Sequence, residues 1–176
     1  MAAWSYRIEP LDKRHDRSRF NSGIEALDIY LRNLAGQDLK RDVASVFVAV
    51  KPDTYEICGY YTLAAGSIPY VSVSADERKG LPKYESLPAV RLGRLAIDKN
   101  HQGRRLGEFL LYDAFKYAAS QSIAWKFFIV DSKDHAINFY LKFGFKAFVD
   151  DRTRLYIRRD SFIKLFDISR PDFSGS

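Results

Sequence analysis

A basic, glycine-bearing turn is where residue types and spacing in this chain first suggest chemistry. Over residues 88–115, PAVRLGRLAIDKNHQGRRLGEFLLYDAF, an apolar strand pattern runs into Gln102, Gly103, Arg104, Arg105, Leu106 and Gly107, then directly into an amphipathic helical pattern. Backbone N–H groups at the start of a helix lack intrahelical partners and carry partial positive charge. A phosphate seated there gains hydrogen bonds and a favourable dipole together. Gly103 and Gly107 would let the backbone come close to such an anion. The same layout is also an ordinary strand-to-helix connection of α/β proteins, and the turn taken alone leaves both readings open.

Charge points toward an anion without deciding the matter. Lys plus Arg number 28 against 22 Asp plus Glu, a net charge of +6. The excess is clustered: Lys13, Arg14, Arg17 and Arg19 early, Arg91, Arg94, Arg104 and Arg105 centrally, and Arg152, Arg154, Arg158 and Arg159 late. Such clusters suit a polyanionic ligand or partner and equally suit a solvated basic surface. The lone Cys58 excludes a disulfide framework and a cysteine metal cluster, which is compatible with a reducing compartment. MAAWSYRIEP lacks the pattern of a signal peptide, and no 18 apolar residues run together, so the expected location is cytoplasmic, with no membrane involvement. At 176 residues, 47% hydrophobic and 28% charged, the chain reads as one folded domain, placed at 1–168 with a flexible tail over 169–176.

The elements that must position the turn follow from periodicity. Residues 4–9 read as a first strand ended by Pro10. From Ser22, apolar residues at Ile24, Leu27, Tyr30, Leu31 and Leu34 keep helical spacing, with Ser22 and Glu25 spaced as a capping box and Gly36 as a break between two helices. Residues 44–51 and 56–68 form a hairpin about Pro52-Asp53, and a long polar loop over 73–86 leads to the strand 89–98. After the turn, Leu106, Leu110, Leu111, Ala114, Phe115 and Ala118 make one apolar helical stripe. The apolar run 125–132 is a strand covered on both faces. Next comes a short helix with Ala136, Phe139 and Tyr140 on its apolar face and Gly144 at its end, then a closing strand pair over 145–149 and 154–158. The order is β, α, α, β, β, β, α, β, α, β, β, a mixed-sheet α/β chain.

Two of these segments together resemble the GNAT superfamily of acetyl-coenzyme A dependent N-acetyltransferases. RLAIDKNHQGRRLGEFLL is similar to the family's pyrophosphate-binding turn, and AINFYLKFGF to a later signature in which a short helix carries Phe-Tyr and ends in Gly-Phe. FNSGIEALDIYL, GYYTLAAGSI and LGRLAID resemble the subgroup of acetyltransferase toxins from bacterial toxin-antitoxin operons, and the likeness spans roughly residues 6–166. The implied fold is a mostly antiparallel mixed sheet, splayed between two central strands and flanked by helices. The resemblance puts Gln102, Gly103, Arg104, Arg105, Leu106 and Gly107 around the coenzyme A pyrophosphate, and Leu95, Ala96 and Ile97 along the pantetheine arm, where a strand can pair with the arm's amides. The family's usual glycine is Arg105 here, so either that position needs only helical dihedrals or the guanidinium contacts a phosphate.

Tyr140 is the implied catalytic acid, since a phenol of pKa about 10 is protonated at neutral pH and can donate to the departing thiolate. His135 sits off the Tyr140 face and reads as a bystander. The subgroup implies an acceptor: the amino group of the amino acid on charged tRNA, whose acetylation stops translation. Arg78, Lys79, Arg91 and Arg94 would then contact phosphates, with little reading of sequence. It also implies an antitoxin, expected to be a small DNA-binding protein, and allows a homodimer; acetyl-coenzyme A is the cosubstrate and no metal is required. Two alternatives stand beside this. The acceptor could be a protein, polyamine or small-molecule amine, or the chain could hold coenzyme A without catalysis.

Overall fold

A computed structural model describes residues 6–133 and 136–166. The expected strand residues 4–5, His135 and the tail 169–176 lie outside them. Seven strands are hydrogen-bonded in the order β1-β2-β3-β4-β5-β7-β6: β1 Arg7–Pro10, β2 Ser45–Val50, β3 Ile57–Pro69, β4 Ser86–Ile97, β5 Phe127–Asp131, β6 Lys146–Ala147 and β7 Arg154–Arg158. The pairs β1–β2, β2–β3, β5–β7 and β6–β7 are antiparallel, and β4–β5 is parallel. A parallel pair needs a long crossover, which α3, Leu106–Ser120, supplies. The β4–β5 register runs from Ala89↔Phe127 to Leu92↔Val130, and β4 continues to Ile97.

The chain forms two compact units, 1–64 with 93–114 and 65–92 with 115–176, so β3, β4 and α3 each contribute to both. In the first, Phe20, Leu31, Ala35, Val46, Val48, Val50, Tyr60 and Ala96 are buried together. Gly59 is small because it must be: a Cβ there would lie 3.0 Å from both Ile97 Cδ1 and Leu110 Cδ1 and 3.1 Å from the Ala96 carbonyl oxygen. β3 thereby lies against the strand and helix that flank the basic turn.

The second unit buries Ile68, Leu87, Ala89, Phe127, Ile129, Phe148 and Tyr156, beside an aromatic set of Phe115, Trp125, Phe128, Phe145 and Phe162. Phe162 stacks on Phe115 at 3.7 Å between ring centroids. It comes from α5, Arg159–Phe166, an element that the periodicity of the sequence does not announce. Burying that one ring is worth on the order of 1.5–3 kcal/mol, enough to hold a short helix in place.

The N-terminal helical run differs from expectation in two respects. Gly36 does not break it: α1, Glu25–Ile29, and α2, Ala35–Lys40, are joined by a π segment over Tyr30–Leu34, closed by the Ala35 N–H donating to the Tyr30 carbonyl. Nor does Ser22 form a capping box with Glu25. Ile24 occupies the cap without a side-chain bond, while the Ser22 N–H and hydroxyl donate to the buried Asp28 carboxylate at 2.8 and 2.7 Å. A charged acceptor makes the stronger hydrogen bond, and Asp28 takes both Ser22 donors. The polar loop stays irregular yet is tied down. Ser74 N–H donates to the Tyr156 hydroxyl, and Arg158 Nη1 to the Glu77 and Lys79 carbonyls.

Candidate active site

The turn takes its shape from backbone dihedrals that few residues accept. Gly103 has φ +75° with open space where a Cβ would sit, and Arg105, which is not glycine, has φ +62°. Left-handed backbone costs a residue with a Cβ about 1–2 kcal/mol. The first of the two readings of Arg105 is therefore overturned: this position does need the conformation that glycine adopts freely, and arginine adopts it under strain. Its Nε lies 2.6 Å from Glu108 Oε2, one helical turn on, and the guanidinium is largely exposed. The exception at this glycine position does not collapse the turn. Among the described residues, nothing accepts from the N–H groups of Gly103, Arg104, Arg105, Leu106 or Gly107. Five adjacent donors at the mouth of a 15-residue helix fit a diphosphate well.

Gln102 has a different job from its neighbours. Its side-chain amide donates to the Ile97 and Ser22 carbonyls, both at 3.0 Å, so it braces the turn instead of reaching outward. Asp98 completes the brace: its carboxylate accepts from the Asn21 and Asn100 N–H groups, each at 2.9 Å, and the Lys99 N–H donates to the Asn21 carbonyl at 2.8 Å. Residues 21–22 and 97–102, far apart in sequence, are thus one hydrogen-bonded unit. His101 is buried beneath it, with Nδ1 2.8 Å from the Tyr6 hydroxyl. Burial, helped by nearby Lys51 and Arg104, holds its pKa below the usual histidine value.

Leu95, Ala96 and Ile97 occupy the last turn-proximal stretch of β4; Ala96 is in the core and the flanking two are half-buried. Beside them Arg94 lies with its guanidinium carbon 3.6 Å from the Tyr30 ring centre. The Tyr30 hydroxyl donates to Asp38 at 2.9 Å, and burial with that bond pushes its pKa up to about 12. Tyr60 stacks at 6.2 Å on Tyr30 and donates to the Leu27 carbonyl. Arg94 is consequently held on an aromatic face, an arrangement that no sequence spacing reveals because Tyr30 lies 64 residues earlier (94 − 30).

The second unit holds the remaining expected residues. Tyr140, in α4, Ile137–Leu141, is 6% exposed and packs edge-on against Phe139 and Phe145 at 5.0 and 5.5 Å. Its hydroxyl has no hydrogen-bond partner among the described residues, and burial raises its pKa above the usual tyrosine value. The phenol therefore keeps its proton throughout the neutral range. α4 ends at Gly144, φ +86°, with the Phe145 N–H returning to the Tyr140 carbonyl. Arg78 is half-buried over the Tyr70 ring, Lys79 is exposed beside Asp76 and Arg91 is exposed. Among the described residues no group of His, Cys, Asp and Glu is arranged to hold a metal, and no helix is long and apolar enough to cross a membrane.

Known proteins are similar to this chain in sequence and fold. The acetyltransferase (GNAT) domain family matches residues 70–159. A tRNA-acetylating toxin of Mycobacterium tuberculosis is 32% identical over 145 residues, covering 81% of this chain and 85% of that protein. Among solved structures, AtaT complexed with acetyl-methionyl-tRNAfMet superposes with a TM-score of 0.83 at 28% identity, over 92% of this chain and 99% of that one. A tyrosine-to-phenylalanine mutant of AtaT bound to acetyl-CoA and the C-terminus of the antitoxin AtaR superposes at 0.77 and 26% identity, over 93% and 99%.

Proposed function

The chain belongs to the GNAT acetyltransferase family, and from that premise we propose that it is a toxin that transfers acetyl from acetyl-CoA to the α-amino group of the aminoacyl ester on charged tRNA. The observation that carries the reading is the open turn: five unclaimed backbone donors at the start of a helix, in a chain similar over nine-tenths of its length to a protein solved with an acetylated aminoacyl-tRNA.

Gly103, Arg104, Arg105, Leu106 and Gly107 would hold the diphosphate through their N–H groups, with Gln102 fixing the turn against Ile97 and Ser22. Leu95, Ala96 and Ile97 would pair along the pantetheine arm. When bound, acetyl-CoA supplies an acetyl thioester, activated toward attack by a neutral amine. Tyr140 holds a proton on its hydroxyl and gives it up as the thiolate departs, and its apolar surroundings keep that proton in place until then. An aminoacyl ester amine is less basic than a lysine amine, whose pKa is near 10.4, and a neutral fraction is present at pH 7 without a strong protein base. Arg78, Lys79, Arg91 and Arg94 are the proposed phosphate contacts first suggested by sequence; of these, Arg94 lies over the Tyr30 ring and Arg78 over the Tyr70 ring.

Acetylation removes the nucleophile that peptide-bond formation requires, so the expected consequence in the cytoplasm is arrest of translation. A cognate antitoxin, a small DNA-binding protein, would restrain the enzyme. Incubating the protein and labelled acetyl-CoA with charged tRNA, deacylated tRNA, a polyamine and a peptide N-terminus tests the acceptor. Label should enter charged tRNA alone, and preferential labelling of the polyamine or peptide would transfer the activity to another amine.

A further inference from the structure

The first unit has a concentration of cations built into two clefts, none of them among the four arginines and lysines proposed above as phosphate contacts. One cleft, of about 440 Å³, is lined by Arg19, Arg32 and Lys99; the other, of about 290 Å³, by Lys13, Arg17, Arg32 and Lys40. Arg32 lines both. It sits in the π segment Tyr30–Leu34, and π turns inserted in helices recur at functional sites.

These six cations differ from their neighbours in having no ion-pair partner among the described residues. Arg7, Arg14 and Arg105 of the same unit are each paired, with Glu9, Asp12 and Glu108, and Arg94 lies on Tyr30. The carboxylates in the clefts are largely committed as well: Asp28 accepts from Ser22, and Asp12 from Arg14, leaving Glu25 exposed at the rim of the first cleft.

Two glycines seat two of the cations. A Cβ on Gly36 would stand 3.0 Å from Arg17 Nη1, and a Cβ on Gly23 would stand 2.8 Å from Lys99 Cε. In both cases the atom met is the far end of a flexible side chain. Gly36 therefore leaves room for Arg17, while Gly23, at φ +86°, is held to glycine by its backbone as well as by Lys99. Three of the six cations are arginines, whose planar fork matches phosphate oxygens bidentately.

We propose that the paired clefts, joined at Arg32, are seats for the phosphodiester backbone of the RNA acceptor, so that Arg17, Arg19, Arg32 and Lys99 set the affinity for tRNA while the basic turn holds the donor. This rests on the reading of charged tRNA as the acceptor. Phosphate contacts of this kind fix position and carry little sequence information, and binding through them weakens with salt in proportion to the number of phosphates neutralised.

The test uses the full chain, with tRNA binding measured directly on deacylated tRNA and turnover measured separately on charged tRNA. The Arg17→Ala/Arg32→Ala variant should raise the KM for charged tRNA by about tenfold, and its log–log salt slope for binding should be shallower by about 1 for each phosphate no longer neutralised. Its KM for acetyl-CoA, and its kcat with a small aminoacyl methyl ester, should be unchanged. Gly36→Ala keeps structural and functional roles apart: alanine suits a helix better than glycine, so its melting temperature should hold or rise while tRNA binding weakens through displaced Arg17. Variants that bind tRNA with the wild-type salt slope would overturn the assignment and leave the acceptor reading intact. A higher KM for acetyl-CoA instead would give the clefts to the donor and overturn it too. Failure of the wild-type protein either to bind tRNA or to acetylate charged tRNA would remove the acceptor reading itself, and this proposal with it.

Discussion

Replacing Arg105 by glycine and, separately, by alanine measures how the turn is built. Relief of the left-handed strain at φ +62° favours the glycine variant by about 1–2 kcal/mol. Against it stands about 0.4–1 kcal/mol for the extra freedom glycine gives the unfolded chain. Both variants lose the exposed Arg105–Glu108 pair, worth about 0.2–0.5 kcal/mol, so that loss cancels between them. Glycine should therefore exceed alanine in stability by roughly 1 kcal/mol, or about 2–4 °C in melting temperature for a chain of this size. At an ordinary helical position the order is opposite, with glycine about 1 kcal/mol below alanine. Thermal melts of the two variants in low-salt buffer decide the sign. If the alanine variant melts at or above the glycine variant, position 105 is not left-handed and the account of the turn is wrong. If the guanidinium also grips a phosphate, both variants raise the KM for acetyl-CoA equally, by roughly tenfold or more, because both lose the charge.

The remaining expectations concern protons. Tyr140→Phe should lower kcat by about 10²–10⁴-fold with the KM for acetyl-CoA little changed, since the ring stays and only the donor goes; wild-type turnover in steady-state assays would take Tyr140 out of the chemistry. Because burial raises the Tyr140 pKa above its ordinary value, kcat/KM should climb as the acceptor amine deprotonates, with no descending limb below pH of about 10; a fall near pH 8 would contradict this. His101 has its folded pKa depressed, so the stability it contributes is fully present above about pH 6.5 and is lost as pH falls through the lower folded value. Melting temperatures measured from pH 7.5 to 5 should drop more for the wild type than for His101→Gln, and equal slopes would show that His101 is not the group responsible.

Most of the fold is legible from apolar spacing because burial sets that spacing directly. The β5 run FFIVD is buried through its first four residues, as a continuous apolar strand should be, and the stripe Leu106, Leu110, Leu111, Ala114 and Phe115 is the buried face of α3. Hydrogen-bond register is not written in that spacing. Leu34 falls on the expected helical stripe yet is 45% exposed, because the π segment inserts an extra residue and turns it away. Helix α5 is too short and too charged to announce itself, and its place is set by Phe162 meeting Phe115. In the proposed site, the glycine positions of the turn are readable locally, whereas the role proposed for Tyr140 comes from the family resemblance. Long-range choices are not: Asp28 claiming Ser22, Gln102 bracing Ser22 and Ile97, and Arg94 resting on Tyr30 each depend on residues the chain brings together only on folding.

The most direct test of the central claim locates the transferred acetyl group. Charged tRNA incubated with the protein and acetyl-CoA would be digested with nuclease, and the released aminoacyl-adenosine analysed by fragmentation mass spectrometry. The acetyl group is expected on the α-nitrogen of the amino acid, absent without enzyme and strongly reduced with Tyr140→Phe. Acetyl found on a base or ribose, or an aminoacyl-adenosine left unmodified by active protein, would contradict the account.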